Sequence, residues 1–480
     1  MPHPLAITTA QPRDSGWRYA LTAHEADRFT RLKPLLLRLS FLTILLLVGI
    51  AVGLYGAAFG ERTVLLLGAP LVVPLAATLF IKPQALFFVL IASRCALDPI
   101  LESARFSSSF GLGAILNVLI VICAFWMFVQ RADSKLRQVV TLWLAPFLVM
   151  AFGVTYAPDV ISALKGLIAF TSYFAVFIIG FILAQEGQLR KLLQVILLSS
   201  VVPLFVSFYQ LLTGTLTADN RLAGTFTHPN IYAFYCLLVL IVLVYYQKAV
   251  FNTPATTTSK FNKIVSWILV PSLLISIIMT QTRSSWLALL VIGVFYGVIF
   301  SRKILIWLVA GLFVSAFIPA VQDRVLDLFT GNEVVQYAKL NSFAWRQYIW
   351  ESGLNWMSPS RYLLGYGAGS FYYYSVDFFP MSGGVPFGAH NVFVERFFDG
   401  GMVAIAVFAI FFACQFTTAF KLIKYDKFSA LVYLALILSY LVLNTSDNVA
   451  GYLAYNWYYW VVAGAIYSYA KQVVLRANAP

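Results

Sequence analysis

Long apolar runs recur along the whole chain and restrict its fold more than any other feature of the sequence. A soluble domain of this size carries about 25% charged residues, whereas this chain of 480 residues has 11% charged and 61% hydrophobic residues. Runs of about 17 residues or more are long enough to cross a bilayer as helices. A membrane β-barrel would instead show short alternating segments. The sequence therefore predicts an all-α polytopic membrane protein.

The apolar runs predict about 12–14 transmembrane helices, the shortest run (84–97) being tilted, re-entrant or merged with a neighbour. One large loop, 321–390, separates the spans that end near 320 and begin near 391. The predicted spans are 39–57, 63–81, 84–97, 111–130, 138–154, 160–184, 190–213, 229–247, 264–281, 285–301, 304–320, 391–420, 428–445 and 453–472.

The basic residues predict how the chain lies in the membrane. The net charge of +14 arises in short loops between the apolar runs and not in a separate basic domain, so nucleic acid is not an expected partner. With the N-terminus placed in the cytoplasm, 22 of the 33 Lys and Arg residues fall inside and 13 of the 19 acids fall outside. This is the pattern of the positive-inside rule. Both termini are thus predicted to be cytoplasmic, with the loops 214–228 and 321–390 on the opposite face.

Two arginines and one histidine lie in the predicted outer loops and junctions between spans. Arg221 lies in the loop 214–228, Arg283 at the junction 280–285, and His390 at the end of the large loop. Guanidinium groups bind phosphate oxygens bidentately, although Arg283 alone could equally snorkel to water. Histidine, with an ordinary pKa of about 6.5, suits proton transfer from a hydroxyl near neutral pH. Capping of a helix is the alternative role for His390.

Other polar residues near these positions are supporting candidates with simpler structural interpretations. Asn391 is expected to orient a neighbour or cap a helix, Glu395 is a second candidate base, and His228 precedes a proline that begins a helix. Asp447 is interpreted as a solvated helix end, and GYGAGS (365–370) as a tight turn.

The large loop also contains an amphipathic stretch, 337–356, which is expected to lie at the membrane surface or cap a cavity. The sequence has no Walker motif, no Asp-x-Asp pair and no His/Cys cluster, so neither a metal nor a cofactor is predicted.

Around these residues the chain resembles the O-antigen ligase and O-antigen polymerase superfamily of bacterial envelopes. The order, the spacing and the predicted side of the segments all agree with the family, over roughly residues 210–420. The segments are RLAGTFTHPN (221–230), QTRSSWLALLV (281–291), WRQYIWESGLNWMSPSRYLLGYGAGSF (345–371) and AHNVFVERFFDGGMVAI (389–405).

The resemblance implies a metal-independent, inverting glycosyltransferase of the GT-C type in the bacterial inner membrane, with a periplasmic active site. It implies a donor glycan on undecaprenyl diphosphate, and as acceptor either a glycan or the lipid A core. By position, Arg221 and Arg283 would bind the diphosphate and His390 would act on the acceptor hydroxyl.

The expected organisation has four parts. They are a cytoplasmic basic tail (1–38), N-terminal transmembrane helices (39–210), the catalytic region including the periplasmic loop (211–420), and C-terminal transmembrane helices (421–480).

Two alternatives stay open at this point. Within the superfamily, a polymerase that extends lipid-linked chains in O-antigen or exopolysaccharide assembly is slightly favoured over a lipid A-core ligase by the number of spans. In a different class, a polysaccharide or lipid-linked glycan transporter or flippase would also be polytopic with arginines in a cavity. Its charged residues should lie near the middle of the membrane and not at one face.

Overall fold

The structure is a computed structural model that describes most of the chain after residue 77. The predicted tail 1–38 and the predicted span 39–57 lie outside the described residues, as does almost all of the predicted span 63–81. The chain divides into two compact units, 1–86 and 87–480, and of the first unit only 78–79 and 81–86 are described. The described residues are 78–79, 81–103, 112–131, 134–251, 258–299, 301–329, 331 and 340–477.

The described residues form α-helices joined by short loops, and they contain no strand. Two short 3₁₀ turns, Pro359–Arg361 and Val449–Gly451, lie in the last third of the chain. The helices are α1 (Pro83–Arg94), α2 (Asp98–Ser103), α3 (Leu112–Arg131), α4 (Ser134–Thr155), α5 (Val160–Gln185), α6 (Leu189–Ser199), α7 (Val201–Thr213), α8 (Pro229–Phe251), α9 (Thr258–Met279), α10 (Arg283–Ile299), α11 (Arg302–Ser315), α12 (Pro319–Leu326), α13 (Ser342–Trp356), α14 (Ser370–Phe378), α15 (Val392–Ile423), α16 (Lys427–Asn444) and α17 (Leu453–Ala477).

Seven helical segments of the described residues are long and apolar enough to cross a membrane. Every predicted span from 84–97 onward coincides with a helix, or in one case with two consecutive helices. The predicted class, an all-α polytopic membrane protein, is therefore confirmed. The seven segments are Gly113–Arg131, Lys135–Thr155, Val160–Gln185, Leu189–Thr213, Pro229–Gln247, Val392–Ile423 and Lys427–Asn444.

A proline explains why one predicted span is made of two helices. Pro203 has no N–H to donate to the carbonyl four residues earlier, and α6 ends at that residue, Ser199. The Ser199 carbonyl instead accepts a hydrogen bond from the Cys95 thiol (3.0 Å). The backbone group left over by the proline is thereby satisfied inside the protein, as the lipid environment requires.

The centre of the bundle is the contact between α5 and α17, and glycines make it close. A Cβ atom at Gly180 would collide with the backbone carbonyl of Val461, and one at Gly464 would collide with that of Phe177. Small residues that let helix backbones approach are the usual basis of helix packing in membranes. Trp143 of α4 is buried beside this contact, 5.0 Å from Trp460 between ring centroids.

Replacing either of these glycines should disrupt the bundle. We expect Gly180→Val or Gly464→Val to lower the thermal stability of the purified protein, because overpacking of this kind costs about 1–3 kcal/mol or more. Gly311→Val in α11 is the matched control, since a Cβ there meets no atom within 4 Å. Equal melting temperatures for all three variants would contradict the close α5–α17 contact.

The loop 357–369, which precedes α14, is hydrogen-bonded to α15 around Gly401. Gly401 breaks α15 with a left-handed backbone (φ 62°, ψ −160°), and the loop packs into the break. The Tyr366 N–H donates to the Phe398 carbonyl (3.0 Å), and the Met402 N–H donates to the Tyr362 carbonyl (2.8 Å). The sequence GYGAGS is the tight turn that was expected, and Gly365 (φ 68°) touches the backbone of α15 too closely for any side chain.

Candidate active site

Two polar cavities adjoin at one end of the helix bundle, where α8, α10, α13 and α15 begin and α16 ends. The first, which we call the arginine cavity, has a volume of about 1260 Å³ and is lined by Arg221, Arg283, Arg324 and Arg346 among others. The second, which we call the histidine cavity, has a volume of about 820 Å³ and is lined by His390. Four residues line both cavities: Arg324, Asp327, Ser342 and Arg346.

Arg221 is buried in the wall of the arginine cavity and is held by the protein itself. Its Nε donates to the Thr280 carbonyl (2.7 Å). Its Nη2 donates to Asn230 Oδ1 (2.5 Å) and to Thr282 Oγ1 (3.0 Å). Burial lowers the pKa of Arg221 to about 10, and the charge of Arg324 acts in the same direction. The guanidinium is therefore still cationic at neutral pH, and its Nη1 group is left for a ligand.

Arg283 is the first residue of α10 and lies nearer the surface of the same cavity. Its Nη2 forms an ion pair with the Asp327 carboxylate, which follows α12, and its Nη1 donates to Ser342 Oγ (3.4 Å). Both members of the pair are partly exposed. An exposed ion pair contributes little net stability, so an anion with more charge can compete with Asp327 for this arginine.

A fully buried carboxylate, Asp447, connects Asn230 of the arginine cavity with His390 of the histidine cavity. It accepts hydrogen bonds from Asn230 Nδ2 (2.6 Å) and Tyr452 OH (2.7 Å). It also accepts one from the Asn448 backbone N–H (2.9 Å) and interacts with His390 Nδ1 (3.2 Å). Burial alone would raise the pKa of Asp447, but these hydrogen bonds and the charge of His390 outweigh burial and lower the pKa to about 2. Asp447 is thus an anion at any physiological pH.

His390 is placed by a strained backbone (φ 50°) immediately before the helix cap Asn391. Because an ionised Asp447 can only accept, Nδ1 of the neutral imidazole must carry the proton, and Nε2 keeps its lone pair. Trp345 packs edge-on against the ring, with centroids 5.9 Å apart. The side chain is 38% exposed and lines the histidine cavity. This is the arrangement of a general base held by a carboxylate.

A continuous chain of hydrogen bonds connects the arginine to the histidine. It runs from Arg221 to Asn230, from Asn230 to Asp447, and from Asp447 to His390. The side-chain oxygen of Asn230 accepts from Arg221, and its side-chain nitrogen donates to Asp447. These two bonds fix the orientation of the amide. The three predicted residues Arg221, Arg283 and His390 are therefore brought together around two adjoining cavities.

The supporting candidates have structural contacts. Asn391 lines the arginine cavity and caps α15, its Oδ1 accepting from the backbone N–H groups of Phe393 and Val394. His228 Nδ1 accepts from the Asn230 N–H (3.1 Å), and burial lowers the pKa of its imidazole. Glu395 accepts from Asn448 Nδ2 (3.3 Å). Neither His228 nor Glu395 lines the two polar cavities.

Sequence reasoning missed Asp447, Asn230 and Arg346. The interpretation of Asp447 as a solvated helix end is wrong, because its side chain is fully buried and four groups bind it. The signal available was its place in the short polar segment NTSDN (444–448) between two apolar runs. In the part of the chain that the structure describes, no group of three or more His, Cys, Asp or Glu side chains could hold a metal ion.

The fold and the site define a multi-pass membrane protein with an Asp–His pair beside a cavity of arginines. Residues 267–409 match the family model described as O-antigen ligase, which supports the predicted O-antigen ligase and polymerase superfamily. The matched segment contains Arg283, Arg346 and His390, whereas Arg221 and Asp447 lie outside it. A comparison of the chain with curated proteins gave no match.

The low pKa of Asp447 predicts an acid-dependent loss of stability. Its pKa is about 2 in the folded protein, against an ordinary value of 3.8. A depressed pKa contributes stability that is present above pH 4 and is lost as the pH falls toward 2. We expect this contribution to be about 2 kcal/mol, and Asp447→Asn should remove it.

The measurement is the melting temperature of the purified wild type, Asp447→Asn and Asp377→Asn between pH 7 and pH 2. Asp377 is exposed on α14 and serves as the control. The hypothesis fails if the wild type and Asp447→Asn lose stability in parallel as the pH falls.

Proposed function

We propose that this protein is a membrane glycosyltransferase that moves a glycan from undecaprenyl diphosphate to a sugar hydroxyl on the periplasmic side of the inner membrane. The match of residues 267–409 to O-antigen ligase supports glycan transfer of this general type. The observation that carries the proposal is the hydrogen-bond chain from Arg221 to His390 through Asn230 and Asp447. In this proposal, one network supplies both a cation for an anionic leaving group and a base for a hydroxyl.

The proposed reaction is a single inverting displacement without a metal. His390 Nε2 takes the proton of the acceptor hydroxyl while that oxygen attacks the anomeric carbon of the donor sugar. The bond from that carbon to the diphosphate oxygen breaks, and its electron pair leaves with the diphosphate. Asp447 stabilises the imidazolium that forms. Arg221 and Arg283 stabilise the charge on the leaving diphosphate.

The two arginines would bind the diphosphate in different ways. Arg221 is preorganised by Thr280, Thr282 and Asn230 and presents Nη1. Arg283 would exchange the carboxylate of Asp327 for a phosphate oxygen. A diphosphate carries more charge than a carboxylate and accepts bidentate hydrogen bonds, so the exchange is favourable.

A transporter is less well supported by the arrangement of charges. The arginine cavity is lined by the beginnings of α8, α10 and α15 and by the end of α16. A transporter would place such residues near the middle of the membrane at broken helices. The sequence slightly favours a polymerase, and the description of the matched family names a ligase.

Reconstitution with a purified lipid-linked repeat unit, with and without lipid A core, tests the function. A ladder of lengthening lipid-linked chains would identify a polymerase, and products found only on lipid A core would identify a ligase. Absence of any transfer under both conditions, with a folded protein and an intact donor, would refute the proposed function.

We expect His390 and Asp447 to matter more for turnover than for binding of the donor. We expect His390→Ala and Asp447→Asn each to lower kcat by about 10²–10⁴, because general-base catalysis contributes that much and an amide at position 447 favours the wrong tautomer. KM for the donor should change much less. Asp377→Asn is the control, and full kcat in either site variant would remove the assignment.

The ion pair between Arg283 and Asp327 predicts opposite effects on donor binding. We expect Arg283→Ala to weaken binding of undecaprenyl diphosphate about tenfold or more, since a hydrogen bond to a charged group contributes about 1.5–3 kcal/mol. Arg283→Lys should recover only part of the loss, because lysine lacks the bidentate fork. Asp327→Asn should tighten binding, since it frees Arg283. Equilibrium binding to purified protein measures all three, and weaker binding by Asp327→Asn would contradict the exchange.

A further inference from the structure

Arg346 differs from the other three arginines that line the arginine cavity. Arg221 donates to Thr280, Asn230 and Thr282. Arg283 is paired with Asp327, and Arg324 Nε donates to Gln281 Oε1 (3.1 Å). Arg346 makes no hydrogen bond or ion pair with any residue that the structure describes. Its five N–H donors are therefore all left for a ligand.

The Arg346 guanidinium is partly withdrawn from water, so its lack of a hydrogen-bond or ion-pair partner among the described residues is significant. The Arg346 side chain is partly buried, and burial lowers the pKa of its guanidinium while the negative charge of Asp447 opposes that shift. Asp447 is already bound by Asn230, Tyr452 and His390. A cation removed from water without a partner is costly, and an anionic ligand would relieve that cost.

Contacts of Trp345 and Trp350, before and after Arg346 in α13, fix the position of Arg346 relative to His390. Trp345 packs against the His390 ring, and Trp350 Nε1 donates to the Ala389 carbonyl (2.5 Å). Helix α13 is capped at Asn341, whose Oδ1 accepts from two backbone N–H groups. Arg346 lies between these anchors and lines both the arginine cavity and the histidine cavity. It is thus held where a ligand in one cavity meets a ligand in the other.

We propose that Arg346 binds a phosphate group at the boundary between the two cavities. The inference rests on the proposed function and extends it by adding a third cation to Arg221 and Arg283. The planar fork of the guanidinium matches two phosphate oxygens. The phosphate belongs either to the diphosphate of the donor or to a phosphorylated acceptor, and the experiment separates these two sources.

The experiment measures binding of inorganic pyrophosphate and of undecaprenyl diphosphate to purified full-length protein. The variants are Arg346→Gln, Arg346→Lys and, as control, Arg361→Gln. Arg361 is exposed in the same loop, its guanidinium lies over Tyr366 (5.5 Å), and it lines neither cavity. We expect Arg346→Gln to weaken binding of both probes about tenfold or more, Arg346→Lys to be intermediate, and Arg361→Gln to match the wild type.

A second measurement separates ligand binding from a structural role. The melting temperature of ligand-free Arg346→Gln should equal or exceed that of the wild type, because the substitution removes a partly buried cation that has no hydrogen-bond or ion-pair partner among the described residues. A melting temperature clearly below that of the wild type, with both pyrophosphate binding and the KM for a phosphorylated acceptor unchanged, would overturn the proposal.

A third arm identifies the source of the phosphate. If Arg346→Gln leaves binding of both probes unchanged but raises KM for a phosphorylated acceptor and not for its dephosphorylated form, the phosphate is that of the acceptor and the proposal stands. If Arg346→Gln changes neither binding nor this KM, Arg346 is not a phosphate ligand. If the wild type binds pyrophosphate through Arg346 but does not bind undecaprenyl diphosphate, the proposed donor is wrong while the role of Arg346 is supported.

Discussion

A carboxylate buried without contact with water holds the candidate site together. An isolated charge of this kind would be strongly destabilising, so Asp447 must be surrounded by donors. Those donors come from three separate parts of the chain: Asn230 at the start of α8, His390 before α15, and Asn448 and Tyr452 in its own loop. The requirement to satisfy one anion therefore brings three helix ends to one point.

The same anion determines the chemical state of its neighbours. It fixes the tautomer of His390, and through Asn230 it orients the guanidinium of Arg221. Preorganised groups of this kind lose little freedom when a ligand arrives. Arg283 has a different environment, because its partner Asp327 is a partly exposed anion at the cavity surface. The site thus combines one arginine held by buried hydrogen bonds with one that is paired to a partly exposed carboxylate.

The sequence predicted the helices well because membrane helices depend on local composition. The runs 160–184 and 229–247, for example, coincide with α5 and α8 within a few residues. The positions of Arg283 and His390 could also be predicted, since each stands at the end of an apolar run, and Arg221 lies in the short polar loop between two such runs. The region 211–420 that contains them overlaps the matched segment 267–409.

The pairing inside the site could not be predicted from the sequence. Asn230 and Asp447 are separated by 217 positions, and their hydrogen bond depends on how α8 and α16 pack. An aspartate in a short loop has the same local pattern whether water or protein surrounds it. Arg346 likewise gives no local signal in the sequence, because its position beside two cavities depends on the contacts of Trp345 and Trp350.

The break at Gly401 divides α15 into a short part that carries the site and a longer part that can span a membrane. Helix α15 has 32 residues, which would extend about 48 Å if it were straight, whereas the hydrocarbon layer is about 30 Å thick. The part after the break, from Met402 to Ile423, is about 33 Å long and fits that layer. The part before it places His390 up to about 14 Å beyond the lipid-facing segment. In the proposed reaction, an acceptor sugar would therefore meet the imidazole in water while the polyprenyl chain of the donor stays among the acyl tails.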